Sequence, residues 1–326
     1  MCVTGRYLYS LLVICVLGLA ATSAHTQTYP DKPIKIVVPF PAGGPTDAYA
    51  RAIAQRLQQA WDQPVLVENR AGGTGLIGTR AVQASVADGH TLLFTSNSAH
   101  VVGALARNPM PYDPIKDFTP ISMLIRYPMY LVIHPQVPAA TIQEFIALAK
   151  KKPGQYTYSS VGLGSGTHLA CALFGVTAGI DIVHVPYKGA SPAQTAVVSG
   201  EVKLMCDSVG FSQRLVDAGK LRGVALTGQQ RSKAVPDIPT LAEIGLQGVD
   251  TYTWLGMFGP AGMPVSIVSK LNHELVRIMA LPDLRERVSK EGSDVIADQP
   301  LEFVAKIQDE SNIWLKIIRG QGVTIE

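Results

Sequence analysis

Short apolar runs alternate along the chain with polar segments that carry a helical repeat. IKIVVPF (34–40), PVLVEN (64–69) and HTLLFTS (90–96) read as strands, with helices predicted over Thr46–Trp61 and from Gly75 to about Ala87. In the first helix Tyr49, Ile53, Leu57 and Trp61 recur every four residues and form one core-facing stripe. A second series follows: MYLVIHP (129–135), a helix over Thr141–Lys151, YTYSSV (156–161), a helix from about Thr167 to Ala178, DIVHVPY (181–187), a helix over Ser191–Ser199 and VKLMCDSV (202–209). LRGVALTG (221–228) and TYTWLGMFGPAG (251–262) read as further strands, and helices begin near Pro264, Pro282 and Pro300, where a first-turn proline sacrifices no hydrogen bond. Such alternation predicts an α/β protein with mostly parallel sheets covered by helices on both sides. No flexible linker separates the two series, so strands crossing between two domains fit better than independent modules.

The first 24 residues are set apart by a different pattern. Arg6, the apolar centre Leu11–Ala21 and the small residues Thr22–Ala24 read as an export signal, and the apolar run is shorter than the roughly 20 residues a membrane span needs. A lipid anchor on Cys15 is the alternative, with the bulky Ile14 against it. Composition adds limits: 28 Lys+Arg against 25 Asp+Glu, no basic run and 7% aromatic residues leave no footprint for nucleic acid. Cys2 and Cys15 lie in the leader, leaving Cys171 and Cys206 either as a disulfide favoured by an oxidising compartment or as two separate buried thiols.

Three strand-to-helix turns are rich in glycine: FPAGGPTD (40–47), NRAGGTGLIGTR (69–80) and SSVGLGSGTHLA (159–170). In an open α/β sheet ligands settle beyond the carboxyl ends of the strands, where helix N-termini present unpaired N–H groups. The second turn spells GxGxxG at Gly73, Gly75 and Gly78, but it follows the second strand and no acidic residue stands about 20 positions on, which argues against a dinucleotide. No glycine precedes a Lys-Ser or Lys-Thr pair, so a phosphate loop is absent too.

What these turns offer is neutral: backbone N–H groups, the hydroxyls of Thr46, Ser96, Ser98, Ser165 and Thr167, the Asn97 amide, and close approach at Gly43, Gly44, Gly164 and Gly166. Neutral donors at helix starts suit a small organic acid. Asp47 complements a helix dipole in the first turn, and becomes the natural partner of an ammonium if the ligand carries one. Ser165 and Thr167 read as caps or as ligand contacts, His168 as a packed or capping residue, and Asp207 as a ligand contact or a loop brace. Neither Ser160 nor Ser165 sits in a GxSxG elbow, and the seven histidines show no metal spacing. A binding protein is therefore favoured over an exported α/β enzyme acting on an organic acid, with no metal and no cofactor.

The stretches YPDKPIKIVVPFPAGGPTDAYAR, VLVENRAGGTGLIGT, NPMPYDPIKDFTPIS, YSSVGLGSGTHLA, DIVHVPYKGASPAQTAVVSGEVKLMCDS and DIPTLAEIGL, in this order, resemble the Bug-type periplasmic solute receptors of tripartite tricarboxylate transporters. The likeness spans the chain from Tyr29 to the last helix. It implies a type II periplasmic-binding-protein fold with two Rossmann-like α/β lobes, joined by crossing strands and closing on a ligand cleft. The first lobe is expected at 29–125 plus 250–326, and the second at 126–249. It also implies capture of a carboxylate, such as a dicarboxylic amino acid, a citrate-like acid or an aromatic acid. Phe40, Pro41, Ala42, Gly43, Gly44, Asp47, Ser165, Gly166, Thr167 and Asp207 would line the cleft. Delivery to membrane transporter subunits or to a periplasmic sensor domain, by a monomer, follows from the same resemblance. Cys171 and Cys206 stand where such receptors more often have a glycine and an aromatic residue, and their joint appearance in one lobe argues for pairing.

Overall fold

The computed structural model describes residues 29–249 and 252–321, so the leader, with Cys2 and Cys15, and the expected boundary at 250 lie outside the described residues. The chain begins β1 (Ile34–Val38), α1 (Pro45–Trp61), β2 (Val65–Asn69), α2 (Leu76–Gln83), β3 (Thr91–Ser96), then a π-helical turn over Ser98–Val102 and the long β4 (Phe118–Pro128). It continues β5 (Tyr130–Ile133), α3 (Ile142–Lys151), β6 (Tyr156–Ser160), α4 (Gly166–Ala178), β7 (Ile182–Pro186), α5 (Ala190–Val198), β8 (Leu204–Asp207), α6 (Val209–Asp217) and β9 (Arg222–Leu226). It ends β10 (Tyr252–Pro260), α7 (Val265–Met279), α8 (Pro282–Lys290), β11 (Asp294–Val295) and α9 (Pro300–Gln321).

Two sheets result, ordered β11-β4-β10-β3-β1-β2 and β7-β6-β8-β5-β9. They are mixed rather than mostly parallel. β1 pairs in parallel with β2 and β3, and β6 with β7 and β8, but β10 runs antiparallel to β3 and β4, β11 antiparallel to β4, and β5 antiparallel to β8 and β9. The reason is topological: β4 leaves the first sheet for the second, and β10 returns, so the crossing strands meet their neighbours head to tail.

Local chemistry accounts for the elements that shape the site. α1 opens with Pro45 at its first position and Asp47 in its first turn, buries Tyr49, Ile53 and Leu57, and stops where Asp62 turns left-handed at φ 50°. α3 has a reciprocal cap: the Glu144 N–H donates to Thr141 Oγ1, and Glu144 Oε2 accepts the Ala140 N–H. One apolar cluster contains Ile36 and Leu57 beside the first sheet, Phe145 and Phe174 beside the second, and Met129 between them.

Met129 alone separates β4 from β5. Its N–H donates to Thr227 Oγ1 at 2.8 Å, and the Thr227 N–H donates back to Met129 O at 2.9 Å. Thr227 directly follows β9, the last strand of the second sheet, so the outgoing and returning crossings are tied together at this point.

Candidate ligand-binding site

Between the sheets lies a cavity of about 260 Å³. The N-cap residues of α1, α4, α5 and α6 are Gly44, Ser165, Gly189 and Ser208, and all four line it. Each helix start leaves N–H groups unpaired and carries a partial positive charge of about half a unit. Four such ends converging on one cavity form an environment for an anion.

The first sheet contributes the turn after β1. The Gly43 N–H donates to Asp47 Oδ2 at 3.0 Å, and the Asn69 amide donates both to Phe40 O at 3.1 Å and to Asp47 Oδ1 at 3.0 Å. Arg51, one turn along α1, donates to Asp47 Oδ2 at 3.1 Å. Burial pushes the Asp47 carboxyl up, but the Arg51, Gly43 and Asn69 hydrogen bonds outweigh it and hold the group below its usual range. Both carboxylate oxygens are thus engaged in fixing the turn. Ser96 and Ser98 add hydroxyls 2.9 Å apart.

From the second sheet come the turns after β6, β7 and β8. The Ser165 hydroxyl donates to Gly162 O at 2.6 Å, accepts the His168 N–H at 3.3 Å and lies 2.9 Å from the Thr167 hydroxyl. Ser165 is therefore both a helix cap and a cavity wall. The Gly164 N–H donates to His168 Nδ1 at 3.0 Å, and the His168 ring stacks on His184 with centroids 4.0 Å apart. Burial pushes both imidazoles down to about 4, so both are neutral in the fold. His184 Nε2 lies 2.6 Å from Ser160 Oγ, but Ser160 is fully buried and does not line the cavity, so this Ser–His pair cannot meet a substrate there.

Asp207 lies at the end of β8. Its Oδ1 accepts the Ser208 N–H at 2.8 Å and its Oδ2 the Ser212 hydroxyl at 2.6 Å. Burial pushes the carboxyl up to about 6, against the pull of those two donors and the Gln194 amide.

Of the residues expected from sequence, Phe40, Pro41, Ala42, Gly44, Asp47, Ser96, Ser165, Gly166, Thr167 and Asp207 line the cavity. Gly43 faces a smaller adjoining pocket, and Gly164 points its N–H at His168. Asn97 turns away, its amide donating to Tyr252 O and to Glu310 Oε1. The second glycine-rich turn does not reach the cavity. A Cβ on Gly78 would stand 2.8 Å from Arg70 O and 2.9 Å from Pro39 Cβ, so that turn backs the first one by close packing.

Sequence reasoning missed the turn Lys188–Pro192 and the crossing-strand residues Tyr127, Met129 and Thr253, which also line the cavity. The turn could have been found from Gly189 immediately before a helix; Tyr127, Met129 and Thr253 arrive only through the topology. Lys188 is exposed and is the only cation among the described residues that line the cavity. Gly189 has φ 118°, and a Cβ there would stand 3.5 Å from Pro41 Cγ, so the turns of the two sheets meet across the mouth. Gly166 allows a second close approach, with Thr253 Oγ1 3.0 Å from where its Cβ would be. A disulfide joins Cys171 in α4 to Cys206 in β8, with Cα atoms 5.6 Å apart.

Among known families, the model of the tripartite tricarboxylate transporter family receptor matches residues 49–323. The chain is 34% identical over 316 residues to protein BugT of Bordetella pertussis, covering 97% of each. The solved structure of Rpa4515 from R. palustris with adipate matches at 31% identity and TM-score 0.86, covering 91% of this chain and 99% of that one. MatC from Rhodopseudomonas palustris with bound malate matches at 31% identity and TM-score 0.83, covering 89% and 100%.

Proposed function

The chain belongs to the tripartite tricarboxylate transporter family of receptors, and we propose that its inter-sheet cavity captures a small carboxylate in the periplasm for delivery to membrane transporter subunits. The observation that carries this reading is the convergence of four helix N-caps, Gly44, Ser165, Gly189 and Ser208, on one cavity. A carboxylate accepts several hydrogen bonds at once; backbone N–H groups and the Thr167 and Ser96 hydroxyls supply them, joined by the Ser165 hydroxyl when its proton turns from Gly162 O to the ligand. The adipate and malate bound by the related structures are small carboxylates of this kind.

The lobes divide at the crossings, and the ligand favours the closed arrangement because only there do donors from both sheets reach it. Such a site holds its guest and does not transform it. The test is calorimetry on ligand-stripped protein with amino acids, di- and tricarboxylates and aromatic acids. At least one acid is expected to bind with no product formed, and Ser165→Ala is expected to weaken it about tenfold by removing a charge-assisted hydrogen bond. A variant that melts lower yet keeps its affinity would reduce Ser165 to a cap, and turnover of the acid would replace the receptor with an enzyme.

A further inference from the structure

Among the charged side chains of the described residues that line the cavity, Asp207 is the one that is buried without a cation. Asp47 has Arg51 against it, and Lys188 reaches solvent at the rim. Asp207 is 4% exposed, and its partners are the Ser208 N–H, the Ser212 hydroxyl and, at 3.5 Å, the Gln194 amide, all neutral. A carboxylate offers about four lone-pair positions, so these donors leave acceptor capacity facing the cavity. Beside it stands Tyr127, which also lines the cavity and whose hydroxyl has no hydrogen-bond partner among the described residues. The raised Asp207 carboxyl agrees with a charge that no cation compensates.

We propose that Asp207 is a specificity-determining residue that selects an amino-carboxylate: the helix N-caps take the ligand's carboxylate, and Asp207, with the Tyr127 hydroxyl, takes its ammonium. This deepens the carboxylate-receptor reading and rests on it. An ammonium at Asp207 gives the buried anion the partner the protein withholds. A second ligand carboxylate there would set a like charge against a carboxylate that is itself buried and without a cation. The site thus rejects plain diacids by repulsion as much as it attracts amino acids.

Calorimetry on ligand-stripped protein with matched pairs tests this: L-glutamate against glutarate, L-leucine against 4-methylpentanoate, and L-phenylalanine against 3-phenylpropanoate. In any pair that binds, the amino member is expected to be at least about tenfold tighter, equivalent to about 1.4 kcal/mol. Asp207→Asn is expected to shrink that ratio to about twofold, whereas Ser165→Ala weakens both members alike. If Asp207→Asn does not fold, the wild-type ratio decides by itself. Plain acids that bind as tightly as their amino partners, or binding confined to plain acids in the wider panel, overturn this proposal and leave the receptor reading standing. No binding by any carboxylate overturns both.

Discussion

Met129 and Thr227 exchange two hydrogen bonds, one from the Met129 N–H to the Thr227 hydroxyl and one from the Thr227 N–H to Met129 O, and so lock together the two chain crossings between the sheets. Thr227→Val keeps the shape and the backbone bond but leaves the Met129 N–H without its acceptor inside the protein. A loss of about 1–3 kcal/mol is expected, the cost of an unsatisfied buried donor, read from denaturant unfolding. An unchanged midpoint would mean that the crossing does not depend on the threonine hydroxyl.

Gly189 occupies φ 118°, a conformation that side chains rarely adopt, and faces Pro41 across the mouth. Gly189→Ala is expected to lower stability by about 1–3 kcal/mol through backbone strain, and to weaken ligand binding in calorimetry because the α5 cap is displaced. Loss of stability with affinity intact would separate this turn from the site.

The disulfide closes a loop over a sequence separation of 35 residues. Constraint of the unfolded chain by a loop of that size is worth about 3–4 kcal/mol. Cys171→Ala with Cys206→Ala, or reduction of the native protein, is expected to lower the melting temperature accordingly in calorimetric scans. A melting temperature indifferent to reductant would contradict a bridge that constrains the unfolded chain.

Acid should act on this protein in two opposing ways. His168 is pushed down to about 4 in the fold, so between pH 6.5 and 4 the unfolded chain binds more protons and stability falls as pH falls. Between pH 7 and pH 5 that loss is on the order of 2 kcal/mol, and His168→Gln is expected to remove it. Asp207 has the reverse sign: raised from 3.8 to about 6, it contributes stability that is full below pH 3.8 and lost as pH rises through 6. His100 and His184, likewise pushed down to about 4 by burial, add to the loss at acid pH, so the protein is expected to be less stable at pH 5 than at pH 7, and the two unfolding midpoints should move closer together in His168→Gln and further apart in Asp207→Asn. The opposite pattern would invert both assignments.

Much of this architecture was legible because the relevant signals are local. The α1 stripe, with Pro45 before it, located a helix, and glycine-rich turns after β1 and β6 located two walls of the cavity. β4 escaped notice because it is buried along most of its length, showing no alternation, and because Pro120 and Pro128 argue against a strand. The structure accommodates Pro120 opposite Phe258, where the β4–β10 register shifts. The Asp47 brace was hidden for another reason: its partner Asn69 lies on β2, and only the parallel pairing of β1 with β2, which sets Val38 against Asn69, delivers the amide to the turn. Tyr127, Met129 and Thr253 reach the cavity through crossings whose geometry no local pattern encodes.

The meeting of Pro41 and Gly189 across the mouth has a kinetic consequence. The approach narrows the way out on that side of the cavity, so a guest's residence time is expected to lengthen wherever the two turns stay together and to shorten as they part. A substitution that pushes the turns apart should therefore speed release even of a guest whose own contacts are untouched.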